Sequence, residues 1–428
     1  MIEFYDDKLK EKYYKLKHKS GLDIYVFPKK MSSSYALFGT EYGSVDNCFR
    51  LKGESEYIAV PDGIAHYLEH RMFTQKDGSD ITERFSECGA DSNAYTSFNK
   101  TVYLCSGTDN FDEALSALFE FVTEPYFTEE LVERERGIII QEIKMTDDSP
   151  YSRGYRGLLE AMYQYNSARV DIAGTVESVS KISAQMLDKC YRTFYNPNNM
   201  AAVVCGDISP ERVMEIANAA IPDDFVGAEI ERKYYDNEPR EVYNKLYEAY
   251  MEVSKPIFTI GVKDCDISTD PAERMRKFAA MAVLCELIFS RSGQLYNELF
   301  ESGKITPDFD ASYTSSKTFA YTLISGEADN PAEILEYIKK YITEFKFTDE
   351  ELERCKRVLY AEFVMDFDST EEIANNMIDY IFEGFDLFEY GRVIDEITAE
   401  EVRNLISSEF KDEYFAMSVI YPVENERK

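Results

Sequence analysis

The chain carries its own pattern twice. The segment "DNFDEALSALFEFV" from Asp109 recurs in outline as "DNPAEILEYIKKYI" from Asp329, an offset of 220 residues. At the same offset, "FTEELVERERGIIIQE" from Phe127 meets "FTDEELERCKRVLYAE" from Phe347. The Phe and Thr are identical there, as are the Glu at 130/350, 133/353 and 142/362 and the Arg at 134/354. Farther on, "ISAQMLDKCYRTFY" from Ile182 answers "ITAEEVRNLISSEF" from Ile397, and the offset shortens to 215. Each is followed by a strand-like end, "NMAAVVCGDI" and "YFAMSVIYPV". A chain of 428 residues is long enough for two domains. We therefore expect two homologous halves, residues 1–225 and 240–428, joined by the polar, proline-bounded stretch at about 221–240.

Within the first half the hydrophobic period changes in order. "LDIYVFPK" and "SYALFGTEYGSV" read as strands. A helix is expected around "HYLEH", and a second, "ITERFSECG", ends at Gly89. "SNAYTSFNKTVYLCS" reads as the best strand of the chain by its Tyr, Thr, Val and Phe content. Further helices are expected at 109–123, at 128–147 capped by Thr128, and at 182–194 capped by Ser183 or Ser180. Strands and helices come in runs, so the fold class is α+β, with an antiparallel-rich sheet and helices on one face of it in each half.

Charge and cysteine usage narrow the function. The net charge of −33 argues against nucleic acid or an anionic membrane as the main partner. No run approaches 18 apolar residues, so no membrane-spanning helix is expected, and the N-terminal stretch lacks the apolar core of a secretory signal. The eight cysteines are scattered, with no C-x-x-C pair, and read as reduced core residues of a cytoplasmic protein.

The stretch "PDGIAHYLEHRMF" holds two of the three histidines, His66 and His70. Residues four apart share a helix face, so both imidazoles could reach one Zn²⁺, with Glu69 beside them as a general base. In a chain with so few histidines, chance produces this motif in on the order of a per cent of cases or fewer. A third ligand must be a carboxylate or thiolate. The helix "ELVERERGIIIQEIKM" offers Glu133, Glu135 and Glu142. Glu142 interrupts an apolar run, and Glu135 lies two turns back on nearly the same face. Spacing alone does not choose among them, and imidazole and carboxylate would accept manganese or cobalt as well.

Together these residues resemble the inverted-zincin peptidases of the pitrilysin, insulysin and mitochondrial processing peptidase family (M16), whose pattern is H-x-x-E-H followed some seventy-odd residues later by E-x6-E. The likeness extends to "GADSNAYTSFNKTVYL", "TEPYFTE", "DIAGTVESVSKI" and "FYNPNNMAAVVCGDI". It implies His66, His70 and Glu142 as zinc ligands, Glu69 as base and Glu135 as supporting carboxylate. It also implies a bowl- or clam-like pair of half-domains. In "NAYT", Asn93, Ala94 and Tyr95 would lie on an edge strand that takes the peptide substrate as an added strand. The second half departs from the family pattern. Where members carry an Arg and a Tyr that bind the substrate carbonyl, "LYNELFESGKITPDF" places Phe300 and Thr306. The chain resembles in particular the short bacterial zinc-bearing members labelled as associated with elongation-factor-P modification.

The resemblance implies a zinc endopeptidase acting on short or unfolded peptides. Its partner would be a paralogous subunit supplying the Arg/Tyr pair, or a second copy of the chain. A non-catalytic assembly subunit and a peptide-binding clamp of the same fold are the competing readings.

Overall fold

Runs rich in Val, Ile, Tyr and Phe become strands, and those nearest each sheet's centre are buried on both faces. In the computed structural model, which describes residues 1–235 and 237–423, the chain forms two compact units. Unit 1 holds β1 (Ile2–Asp6), β2 (Glu11–Lys17), β3 (Asp23–Pro28), β4 (Ser34–Thr40), β5 (Cys48–Leu51) and β6 (Ile58–Ala59). It also holds β7 (Ala90–Thr96), β8 (Thr101–Gly107), β9 (Met200–Gly206) and β10 (Ile230–Arg232). Its main sheet runs β1-β2-β3-β9-β4-β8-β7, and β10-β5-β6 make a small second sheet. Unit 2 holds β11 (Leu246–Met251), β12 (Ile257–Asp264), β13 (Asp310–Ser315), β14 (Ala320–Glu327) and β15 (Phe415–Pro422), in the order β11-β15-β12-β14-β13.

The repeat is visible in this topology. In unit 1, β3 pairs parallel with β9, and β9-β4-β8-β7 are antiparallel. In unit 2, β11 pairs parallel with β15, and β15-β12-β14-β13 are antiparallel. Helices keep the sequence offset: Glu129–Asp147 answers Asp349–Asp366, and Ala184–Phe194 answers Ala399–Glu409. Ser183 accepts a bond from Met186 N, and Thr128 Oγ1 accepts one from Leu131 N at 3.3 Å, as the caps were read. Gly89 ends its helix with φ 71°.

The compact units do not follow the chain as continuous halves. Unit 1 comprises Met1–Ile143, Asp171–Tyr234 and Val364–Leu387; unit 2 comprises Lys144–Val170, Tyr235–Phe363 and Phe388–Lys428. Each unit therefore contains one helix from the other half. Helix Thr370–Glu383 lies on the unit 1 sheet, and helix Pro150–Met162 lies on the unit 2 sheet. The contact is the same in both. At Gly39 an added Cβ would sit 3.0 Å from the Phe382 ring and 3.3 Å from Ile378. At Gly261 it would sit 2.4 Å from Met162 Sδ and 3.0 Å from Leu158. Leu158 and Ile378, like Met162 and Phe382, are 220 residues apart. Ala36 and Phe38 face the main core of unit 1, whereas Gly39 faces the guest helix, so helices cover both sheet faces rather than one.

Two other readings change. "SNAYTSFNKTVYLCS" is not one strand but a hairpin, β7 and β8, turning through Ser97–Lys100 with Ser97 N donating to Lys100 O at 2.8 Å. Its β-propensity is realised in both strands, and Ser and Asn residues inside it form the turn. The stretch 221–240 is not a free linker either. Its β10 pairs with β5, Arg232 Nε donates to Asp46 Oδ1 at 2.9 Å, and the Tyr234 hydroxyl donates to the same oxygen at 2.7 Å. Asp236 of that stretch, and residues 424–428 of the second half, lie outside the described residues. Finally, Pro271–Glu301 is long and apolar enough by length and composition to cross a membrane. However, 61% of its most apolar window is buried in the protein, as in a core helix.

Candidate metal centre

The histidines sit on helix Ile64–Met72, which enters at Gly63 with φ 86°. A Cβ there would lie 2.3 Å from Ala173 O, so both the conformation and the close approach require glycine. Ile64, Ala65, Tyr67, Leu68 and Met72 are buried and fix the helix against the core. The Tyr67 hydroxyl donates to Val132 O, which ties this helix to the one spanning Glu129–Asp147. That second helix buries a single stripe, Val132, Glu135, Ile139 and Ile143, so a carboxylate lies among apolar neighbours.

Three side chains converge. His66 Nε2 is 3.5 Å from Glu142 Oε1, and His70 Nε2 is 3.3 Å from Glu142 Oε2. The two rings stand edge to face with centroids 4.7 Å apart. One ligand atom from each of His66, His70 and Glu142 lies within 4.8 Å of the others, the one such cluster found among the described residues. Ligands bonded tetrahedrally at zinc distances are separated from one another by about 3.3 Å, so the two histidine–carboxylate spacings fit a single small cation. This geometry selects Glu142 where spacing in the sequence did not. Glu133 is instead exposed and paired with Arg136.

The surrounding charges favour a cation too. Burial alone would pull the His70 pKa down, but hydrogen bonds to Glu135 and Glu142 raise it to about 10. Glu142 is held well below the ordinary carboxylate range by hydrogen bonds from His66 and His70. Burial raises Glu69, against opposing pulls from His66, the Thr96 hydroxyl and His70. Glu135 Oε1 lies 3.1 Å from His70 Nδ1, an arrangement in which a carboxylate could orient the ring toward a metal. Glu135 thus reaches the site through His70.

Glu69 is 7% exposed, and the Thr96 hydroxyl donates to its Oε2 at 2.6 Å. Thr96 ends β7, which pairs on one side only among the described residues. Ser97 N bonds Lys100 O across the turn, so by alternation Asn93 and Tyr95 turn their backbone groups to β8. Ala94 and Thr96 turn theirs to the open edge. The Asn93 side chain caps Ala94 N at 2.9 Å. The Tyr95 side chain points away from Glu69, its hydroxyl 3.5 Å from Asn375 Oδ1. His18 lies elsewhere, with Nδ1 2.9 Å from Ser20 Oγ. In unit 2, Phe300 is exposed and stacks on Tyr296, and the Thr306 hydroxyl is buried without a partner among the described residues.

Sequence reasoning missed two residues. Thr96 is one, although its alternation with Tyr95 along "NAYT" places its side chain on the face opposite that of Tyr95. Arg71 is the other: a charged residue directly after the second histidine, its Nη1 lies 3.9 Å from Glu135 Oε2.

The fold and the cluster together define a two-domain protein of the insulinase type. Residues 59–176 match the family described as insulinase (peptidase family M16), and residues 181–359 match the peptidase M16 inactive domain. The zinc protease YmfH of Bacillus subtilis, itself uncharacterized, is 38% identical over 97% of this chain and 98% of its own length. The uncharacterized zinc protease YmxG of the same organism is 24% identical over 85% of this chain and 89% of its own. Among solved structures, an M16-like peptidase from Alicyclobacillus acidocaldarius superposes with a TM-score of 0.91 at 31% identity, covering 96% of this chain and 98% of that one. The chain belongs to the M16 family.

Proposed function

We propose that the chain is a zinc endopeptidase acting on short or unfolded peptides. The observation that carries the reading is the convergence of both histidine Nε2 atoms on the Glu142 carboxylate, with Glu69 beside them. The names of the relatives, zinc proteases, support it. Bound zinc would supply a Lewis acid that acidifies a water and polarises the scissile carbonyl. Glu69 takes the proton from the attacking water and returns it to the leaving amine. Thr96 holds one of its oxygens, which leaves the other to exchange that proton. The peptide lies along β7 as an added strand, paired with the outward backbone groups of Ala94 and Thr96, so Asn93 moves aside from Ala94 N and Tyr95 takes no direct part.

Phe300 cannot donate to a developing oxyanion, and Thr306 is a short substitute for a phenol. We therefore infer a partner subunit that supplies an Arg/Tyr pair, or a second copy of this chain. The same observation favours the alternative of a non-catalytic subunit, as does the inactive-domain description of the family that residues 181–359 match. A cytoplasmic location is proposed on the strength of eight cysteines that form no disulfide. The test is hydrolysis of fluorogenic peptides by the zinc-loaded chain, alone and with the partner recovered from native extract. Turnover should be lost in Glu69→Gln while zinc stays bound. Undiminished cleavage by that variant refutes the role of Glu69, and no cleavage under either condition supports the non-catalytic reading.

A further inference from the structure

Arg71 follows His70 on the histidine helix and is the largest of the fully buried side chains. Its Nη2 donates to Tyr126 O at 3.4 Å, while Nε and Nη1 have no hydrogen-bond partner among the described residues. Nη1 lies 3.9 Å from Glu135 Oε2. Glu135 is itself buried, and its other oxygen faces His70 Nδ1. A buried guanidinium with idle donors is costly unless an opposite charge compensates it. The charges around the cluster show what that compensation serves. Glu69, Glu135 and Glu142 bring three negative charges to two imidazoles. A divalent cation neutralises two of them, and Arg71 is the built-in third positive charge.

We propose that Arg71 is a positioning residue of the metal centre: its charge holds Glu135 as the outer partner of His70 Nδ1, so that His70 Nε2 is presented to the metal. The proposal rests on the reading that His66, His70 and Glu142 bind a divalent metal. It does not depend on peptide hydrolysis. Arg71 touches none of the three ligands in a hydrogen bond, so its effect passes through Glu135.

The experiment is zinc affinity, measured by competition with a chromophoric chelator on the full chain. Wild type is compared with Arg71→Met, Arg71→Lys, Glu135→Gln and the double variant Arg71→Met/Glu135→Gln. Methionine fills much of the volume and leaves the Glu135 charge unpaired. Arg71→Met should weaken zinc binding about 10- to 100-fold, the usual cost of losing an outer partner. Arg71→Lys should recover most of that loss. In the Glu135→Gln background, removing Arg71 should change affinity less than about twofold, because the charge it serves is gone. Wild-type affinity in Arg71→Met, or the same loss with and without Glu135, overturns the proposal. If Arg71→Met does not fold, the double variant decides. Affinity equal to that of Glu135→Gln supports the coupling, and a further loss refutes it. A wild type that binds neither zinc nor another divalent metal overturns the metal reading and this proposal with it. Zinc binding that is tight and independent of Arg71 overturns this proposal alone.

Discussion

If each unit truly contains a helix from the other half of the chain, Ile378→Ala should weaken the unit that carries the N-terminal sheet. Ile378 is fully buried on helix Thr370–Glu383, with its Cδ1 against Gly39 of β4. The substitution removes three carbons, each contributing about 0.8 kcal/mol of transfer free energy, or roughly 2.4 kcal/mol together. The cavity left behind adds to this, because Phe382 and the flat glycine surface cannot both move in to fill it. A total of about 3–4 kcal/mol is expected, within the usual range for buried aliphatic truncation. Hydrogen exchange read by mass spectrometry locates the loss. Protection should fall first in β4 and β9, residues 34–40 and 200–206, while β12 and β14 stay protected. A loss confined to the unit 2 sheet would refute the assignment of this helix to unit 1. So would a change below about 1 kcal/mol, since no buried packing site of this kind is that tolerant.

Two further outcomes concern the site. In metal-free protein the His70 pKa is raised to about 10, so protonation of His70 stabilises the fold. That contribution is complete below the ordinary value of about 6.5 and disappears as pH rises toward about 10. Zinc requires the neutral imidazole, so loading at pH 7 should release about one proton from His70, visible as a dependence of the calorimetric heat on the buffer. Heats independent of the buffer would contradict the cage of carboxylates around this ring. Thr96→Val removes the hydroxyl held 2.6 Å from Glu69 and should lower kcat on the order of tenfold, with KM and zinc content unchanged. Thr96→Ser keeps the hydroxyl and should restore it, and a serine variant as slow as the valine one would refute the hydroxyl as the group that matters.

How far such features were readable depends on whether each is local or made by contact. The duplication was legible because helices repeat their caps and periods locally. Thr128 and Ser183 cap where their positions in the sequence indicated, and five strands of the larger sheet repeat the order of the smaller. The exchanged helices were not legible. The apolar face of Pro150–Met162 says that Leu158 and Met162 must be buried, but nothing local says which sheet buries them. Gly39 and Gly261 were the signals that did exist, since a glycine in the middle of an apolar strand marks a close approach. The N-terminal hairpin β1–β2 escaped notice because its charged residues mask a strand pattern that is buried mainly at Tyr13 and Leu16. At the site, scarcity made His66 and His70 conspicuous, while Glu142 stood among 80 acidic residues and needed a resemblance to single it out. The Arg71 and Thr96 side chains reach the cluster through Glu135 and Glu69, 64 and 27 positions away along the chain, so they became visible only when the fold brought those carboxylates to them.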